Sequence, residues 1–331
     1  MTTFALVARI GAVRLALSLL AALCGSSWAA ADEYPSQPLT IVVPAPPGGT
    51  TDLAARALVD DLGKALGQPV VVENRGGAYG IVGAQNVLAS KPDGYKLYMA
   101  FSGFHVIAPN LVKLPYDPIK DFRPVALVYM APEVLAVRSS LTQVKTFQDL
   151  VDYAKANPGK LNYGSAGTGS VAHVGMELLQ SLVHIQMTHI PYKGTGPILV
   201  DLMGGQVDLV LVSMPPLVPH IQSGGLRALL FTSKERQAAF PDVPTSSELG
   251  LEGFGTSSWF ALYMSAQAPK AAADRISEEI RKIIAKPEFQ RKATELGAEA
   301  VYMNPEQLGA FTESEVERWA RIVKTANIKV N

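Results

Sequence analysis

The chain has 331 residues, room for one to three domains, with 29 Lys plus Arg set against 29 Asp plus Glu. That balance leaves no electrostatic footprint for nucleic acid or an anionic membrane surface, and neither is expected as a partner. Apolar residues at 48%, charged residues at 18%, 28 glycines and 23 prolines describe a chain that buries a core and joins short elements by turns, which excludes disorder for its bulk.

Residues 1–31 contain no acid. Arg9 and Arg14 precede the apolar run 15–23, and Ala29, Ala30 and Ala31 supply the small residues of a cleavage site, so a secretory signal removed after Ala31 is expected. A membrane anchor would need about 20 continuous apolar residues, and Gly25, Ser26 and Ser27 interrupt this run well short of that. The single cysteine, Cys24, falls inside the signal, with Leu23 where a lipidation site wants a small residue. The mature chain therefore has no disulfide, no thiolate nucleophile and no Cys-ligated zinc.

In chain order, the patterning predicts a strand over 39–43, a helix over 52–66, a strand over 70–73, a helix over 81–89 and a strand over 96–101, which make one α/β lobe. A second series follows: helix 146–156, strand 160–163, helix 171–182, strand 187–190, helix 197–203 and strands 207–212 and 226–232. A strand over 259–264 and helices over 272–285, 287–296 and 305–326 complete the chain. Two apolar extended stretches, 125–137 and 254–264, read as strands that cross between lobes. Lobe 1 is then discontinuous, 32–130 plus 255–331, and lobe 2, 131–254, is inserted into it. The expected fold class is α/β with two lobes, each a mainly parallel sheet flanked by helices, and a ligand cleft between them.

The loops that follow the strands carry the chemistry. Strand 39–43 runs through Pro46, Pro47, Gly48, Gly49, Thr50 and Thr51 into a helix, a junction whose free N–H groups and positive dipole end suit an anion. Asp52, four residues before Arg56, reads as a structural ion pair within that helix. Strand 160–163 repeats the device through Gly164, Ser165, Ala166, Gly167, Thr168, Gly169 and Ser170. Ser170 stands where a P-loop needs Lys, no acid closes strand 187–190 for a ribose, and Tyr163 replaces the glycine of a nucleophile elbow. Gly76, Gly77 and Gly80 around Ala78 and Tyr79 permit close backbone approach at a third strand end, and Tyr192 and Lys193 stand at a fourth. The five histidines, His105, His173, His184, His189 and His220, have no metal-ligand spacing, so no metal and no cofactor is expected.

The runs VVPAPPGGTTDLAAR, GQPVVVENRGGAYGIVGAQ, LNYGSAGTGSVAHVGMEL and HIPYKGTGPILVDLMGGQVDL, in this order, resemble the Bug-type receptors of tripartite tricarboxylate transporters. The resemblance implies a periplasmic solute-binding protein of type II-like fold, a monomer, that closes on a small organic carboxylate and hands it to an integral-membrane permease. It assigns the carboxylate to the loops at 47–51, 77–80 and 165–170, with Ser165, Thr168, Gly169 and Ser170 in the last, and puts Asp208 near the ligand's far end; His173, three residues past that loop, is a further expected ligand-binding residue. Tyr79 stands where the family usually has glycine, and 210–212 are apolar, so an aromatic or compact apolar acid is expected over a polar diacid. The enzyme alternative is a secreted serine hydrolase using Ser170 and His173.

Overall fold

The run Leu39–Val43, LTIVV, has no polar alternation, the pattern of a strand that helices cover on both faces of a parallel sheet. It forms β1, which pairs in parallel with β2 (Val70–Asn74) and β3 (Lys96–Phe101). Helices α1 (Thr50–Leu66) and α2 (Ile81–Leu88) connect these strands, and Gly67 ends α1 in the left-handed conformation that favours glycine. The computed structural model describes residues 34–325 apart from 169, 234, 252, 253 and 256, so the expected signal and cleavage site lie outside the described residues.

A second set of parallel strands, β5 (Asn162–Ser165) between β6 (Thr188–Pro191) and β7 (Leu209–Ser213), forms the other half of the sheet. What joins the halves is β4 (Phe122–Arg138), 17 residues long. Up to Pro132 it pairs antiparallel with β9 (Ser257–Ser265), which pairs in turn with β3. From Glu133 onward it pairs antiparallel with β7 and β8 (Leu226–Phe231). The resulting order is β2-β1-β3-β9-β4-β7-β5-β6, with β8 and β10 (Glu299–Met303) also on β4. The expected crossing strands are thus present as β4 and β9. β9 runs against β3 in the first half and β4 against β7 in the second, which makes each half mixed where the sequence suggested mainly parallel pairing.

Strand alternation explains the core of the second half. Leu209 and Leu211 face one cluster, with Leu150 of α3 (Phe147–Ala156) and Met176 and Leu179 of α4 (Val171–Val183). Val210 and Val212 face the opposite one, with Ile198 and Leu202 of α5 (Thr195–Met203) and Val218 of α6 (Val218–Gln222). The sheet is therefore apolar on both sides because helices cover both, and Val210 and Val212 are core residues, correcting their use as an apolar cleft wall. In the first half Val42, Tyr98, Trp259 and Tyr263 pack with Leu308, Trp319 and Val323 of α9 (Pro305–Thr325). Helices α7 (Lys270–Ile284) and α8 (Pro287–Glu295) lead into β10, a short strand the sequence reading missed.

At the point where β4 passes from one half to the other, Glu133 is 1% exposed. Ser258 Oγ on β9 donates to its carboxyl, and Thr232 Oγ1 accepts its main-chain N–H at 2.8 Å. Burial pushes the Glu133 carboxyl up to about 7, the Ser258 bond pulling weakly the other way. The folded state thus holds a proton between about pH 4.5 and pH 7 that the unfolded chain releases, so this group's contribution to stability falls as pH rises through that window. In urea unfolding, wild type should lose stability relative to Glu133→Gln across that window by up to about 1.4 kcal/mol per pH unit. Parallel profiles would show that Glu133 ionises at its ordinary value.

Candidate ligand-binding cleft

The parallel strands of the two halves run toward each other, so their C-terminal ends and the loops that follow meet where β4 passes from one half to the other. After β1, residues 44–49 lead to α1, whose N-cap Gly49 provides no side-chain cap. The loop is held from below by Asp52, only 2% exposed. Its Oδ2 accepts from Gly48 N at 3.0 Å and Arg56 Nε at 2.9 Å, and its Oδ1 accepts from Asn74 Nδ2 at 2.9 Å. Burial alone would raise the Asp52 pKa, but the bonds from Arg56, Gly48 and Asn74 outweigh it and hold the carboxyl below its usual range. The sequence expectation that Asp52 is structural agrees with this geometry. Thr50 Oγ1 and Ser213 Oγ, at the end of β7, are 2.7 Å apart and buried, which ties the first half of the sheet to the second. Pro46 and Pro47 lie against the 194–196 turn so closely that a Cβ on Gly194 would meet Pro46 Cδ at 2.7 Å, and one on Gly196 would meet Pro47 O at 2.7 Å.

The loop after β2 turns through four consecutive left-handed residues, Gly77 (φ 129°), Ala78 (46°), Tyr79 (56°) and Gly80 (80°). For Ala78 and Tyr79 that conformation costs roughly 1–2 kcal/mol each. A Cβ on Gly80 would meet Phe104 at 2.8 Å, so the turn rests on the π-helical segment Gly103–Ile107. Together with Ala166, Gly167, Thr168, Pro191, Tyr192 and Lys193, residues 77–80 and Phe104 line a cleft of ≈ 290 Å³. Tyr192 is part of this lining, and its phenol donates to Asp201 Oδ2 at 2.6 Å. Burial first, and the Asp201 bond second, push that phenol up to about 12. Lys193 is the only charged residue in the described lining.

The structure therefore brings together Gly77, Ala78, Tyr79, Gly80, Thr168, Tyr192 and Lys193 of the expected site residues. Pro47, Gly48 and Gly49 belong to the neighbouring loop and Thr50 and Thr51 to the first turn of α1, with the Thr50 hydroxyl bonded to Ser213. Ser165 lies beneath the cleft, its Oγ engaged with Gly167 of its own loop and with His189 of β6. Ser170 caps α4 by accepting His173 N at 3.3 Å, and the His173 ring stacks on His189 with centroids 4.1 Å apart. Gly169 lies outside the described residues. Asp208 is not brought to the cleft. It precedes β7, at the strand end away from Ser213, where its Oδ1 accepts from Arg138 at 2.8 and 3.0 Å and its Oδ2 from Asn162 N at 2.9 Å. A carboxylate fully used in joining β4, β5 and β7 serves the sheet, and its expected role at the ligand is corrected. The sequence reading missed Phe104, Ser213 and His189; Ser213 carried a signal, since it directly follows the strand predicted over 207–212 and is the last residue of β7.

Two α/β halves around a loop-lined cleft define the architecture of a periplasmic binding protein. The chain matches the family model described as tripartite tricarboxylate transporter family receptor over residues 54–328, and it belongs to that family. It is 38% identical to Protein BugT of Bordetella pertussis, over 91% of this chain and 92% of that one. A solved Rhodopseudomonas palustris protein with adipate is 33% identical with a TM-score of 0.86, covering 90% of this chain and 99% of that one. MatC from the same organism, with bound malate, is 33% identical with a TM-score of 0.81, covering 88% of this chain and 100% of that one. The description of the matched family is that of a transporter receptor.

Replacing exposed Ala78 by glycine removes one methyl and the left-handed penalty with it. Ala78→Gly should stabilise the ligand-free protein by about 1 kcal/mol in urea unfolding. A loss of stability would show that the turn is unstrained.

Proposed function

We propose that the protein is a periplasmic receptor that captures a small organic carboxylate in the 77–80, 104, 166–168 and 191–193 cleft and delivers it to a membrane permease. The observation that carries this reading is the convergence of a left-handed glycine turn with a second strand-end loop in one cleft that offers main-chain donors and a single cation. N-caps Gly49, Gly80 and Gly194 give no side-chain cap, so the first N–H groups of α1, α2 and α5 are not occupied by one. The adipate and malate carried by two relatives are dicarboxylates and support the same ligand class. In this reading the chain divides into lobe 1, 32–130 plus 255–331, and lobe 2, 131–254, acts as a monomer and is exported by a signal cleaved after Ala31. The hydrolase alternative is disfavoured because the Ser170 hydroxyl serves as a helix cap.

Recognition through neutral donors makes the ligand's charge the test. An acid at 100 times its Kd should stabilise the fold by roughly 2.7 kcal/mol, and its amide should give little shift. Equal shifts from adipate and adipamide, or from malate and its diamide, would refute the anion account.

Tyr79 narrows the ligand class. It lines the cleft together with Phe104 and Tyr192; with its ring turned to the ligand, a flat acid gains stacking of roughly 0.5–1.5 kcal/mol where a long flexible diacid is crowded. In calorimetry, Tyr79→Gly should weaken benzoate-type acids by roughly tenfold, about 1.4 kcal/mol, and leave adipate unchanged or improved. A uniform loss would assign Tyr79 to folding or closure, and no change would place it outside the contact.

A further inference from the structure

Beneath the second-half loop lies a hydroxyl with three hydrogen-bond neighbours. Ser165 is the last residue of β5 and is fully buried. Its Oγ is 3.0 Å from Gly167 O, 3.2 Å from Gly167 N and 2.6 Å from His189 Nε2. A hydroxyl has one proton and two lone pairs. Gly167 O can only accept, so the Ser165 proton goes to it; Gly167 N–H can only donate, so it takes one lone pair. The second lone pair faces His189, and the set closes only if Nε2 carries a proton. With the proton on Nδ1 instead, Ser165 would donate to Nε2, and its Oγ would face Gly167 O, which already takes the Ser170 N–H at 3.1 Å, across 3.0 Å with no proton between the two oxygens.

The ring that supplies this donor is held in place. His189 sits on β6 between Tyr163 of β5, centroids 5.0 Å apart at 22°, and His173 of α4, 4.1 Å apart at 19°. The Tyr163 phenol donates at 2.7 Å to Glu177 Oε1, which also takes Gln180 Nε2 at 3.0 Å, so the column of rings is fastened to α4. Burial, and then His173, lower His189 to about 4, so the ring is neutral at periplasmic pH. Gly167, the other end of the Ser165 bonds, is left-handed (φ 117°) and lines the cleft with Ala166 and Thr168.

We propose that His189 positions the second-half ligand loop: as the Nε2–H tautomer it donates to Ser165 Oγ, and Ser165 in turn holds Gly167 in the shape that faces the ligand. The link to affinity rests on the receptor reading above, whereas the tautomer and the loop geometry do not depend on it. His189→Phe keeps a ring in the column and deletes the donor. His189→Gln replaces the ring but restores an N–H at similar reach.

Nitrogen NMR of histidine-labelled wild type should show His189 neutral and protonated at Nε2 at pH 7. An Nδ1–H tautomer or an imidazolium would overturn the assignment. Without ligand, the Gly167 amide should exchange roughly tenfold faster in His189→Phe and return to near the wild-type rate in His189→Gln. Equal protection in wild type and His189→Phe would overturn the positioning role. With whichever of adipate, malate or benzoate shifts wild-type melting most, His189→Phe should bind roughly tenfold more weakly, and His189→Gln within about threefold of wild type. Unchanged affinity in His189→Phe would contradict the link to binding. If none of the three acids binds wild type, the receptor reading falls, and the tautomer and exchange results decide the role of His189 by themselves.

Discussion

The cleft depends on one strand belonging to both halves of the sheet. β4 pairs with β9 up to Pro132 and with β7 and β8 from Glu133, so the ends of the parallel strands of both halves are set by one continuous backbone. Because strand register is fixed wherever both faces are buried, a shift in β4 would turn Val134 and Ala136 out of one cluster and Leu135 and Val137 out of the other. The Thr50 to Ser213 bond and the seating of Pro46 and Pro47 on the 194–196 turn follow from that alignment. Glu133 sits at the transition as a buried acid whose proton is retained by desolvation, the cost of placing a polar residue where two cores meet.

Around this frame the charged groups are mostly consumed by structure. Asp52 holds the first loop, Asp208 joins three strands, and Asp201 takes the Tyr192 phenol. What remains facing the cleft is backbone, aromatic ring and hydroxyl, with Lys193 at its edge. Such a surface favours an anion through many weak, fixed donors rather than one ion pair, which avoids the desolvation of a buried cation. Two non-glycine residues in left-handed conformation within the lining are strain concentrated at the cleft, as expected where a loop's shape serves binding more than stability.

Much of this was legible in the sequence. β1 and β3 fall on the residues expected, and the strand-to-helix glycine loops are where their composition placed them, because helix-covered parallel strands are uninterrupted apolar runs and glycine marks the turns. The antiparallel direction of β4 and β9 was not legible, since apolar length fixes burial and leaves direction open. Asp208 and Val210–Val212 were misjudged for a related reason: position along a strand decides which end faces the loops, and alternation decides which face, and both depend on the register. Phe104 was hidden in a π-helical segment with no periodic signal, and His189 in a strand whose neighbours across the sheet are distant in sequence.

The central claim, anion capture by neutral donors between two strand-end loops, is tested most directly by a crystal structure of the protein with the acid that stabilises it most. The account predicts one carboxylate between residues 77–80 and 166–168, its oxygens accepting main-chain N–H and hydroxyl bonds, with no arginine or lysine in bidentate contact. A carboxylate held by a direct ion pair to Lys193, or bound away from these two loops, would contradict it.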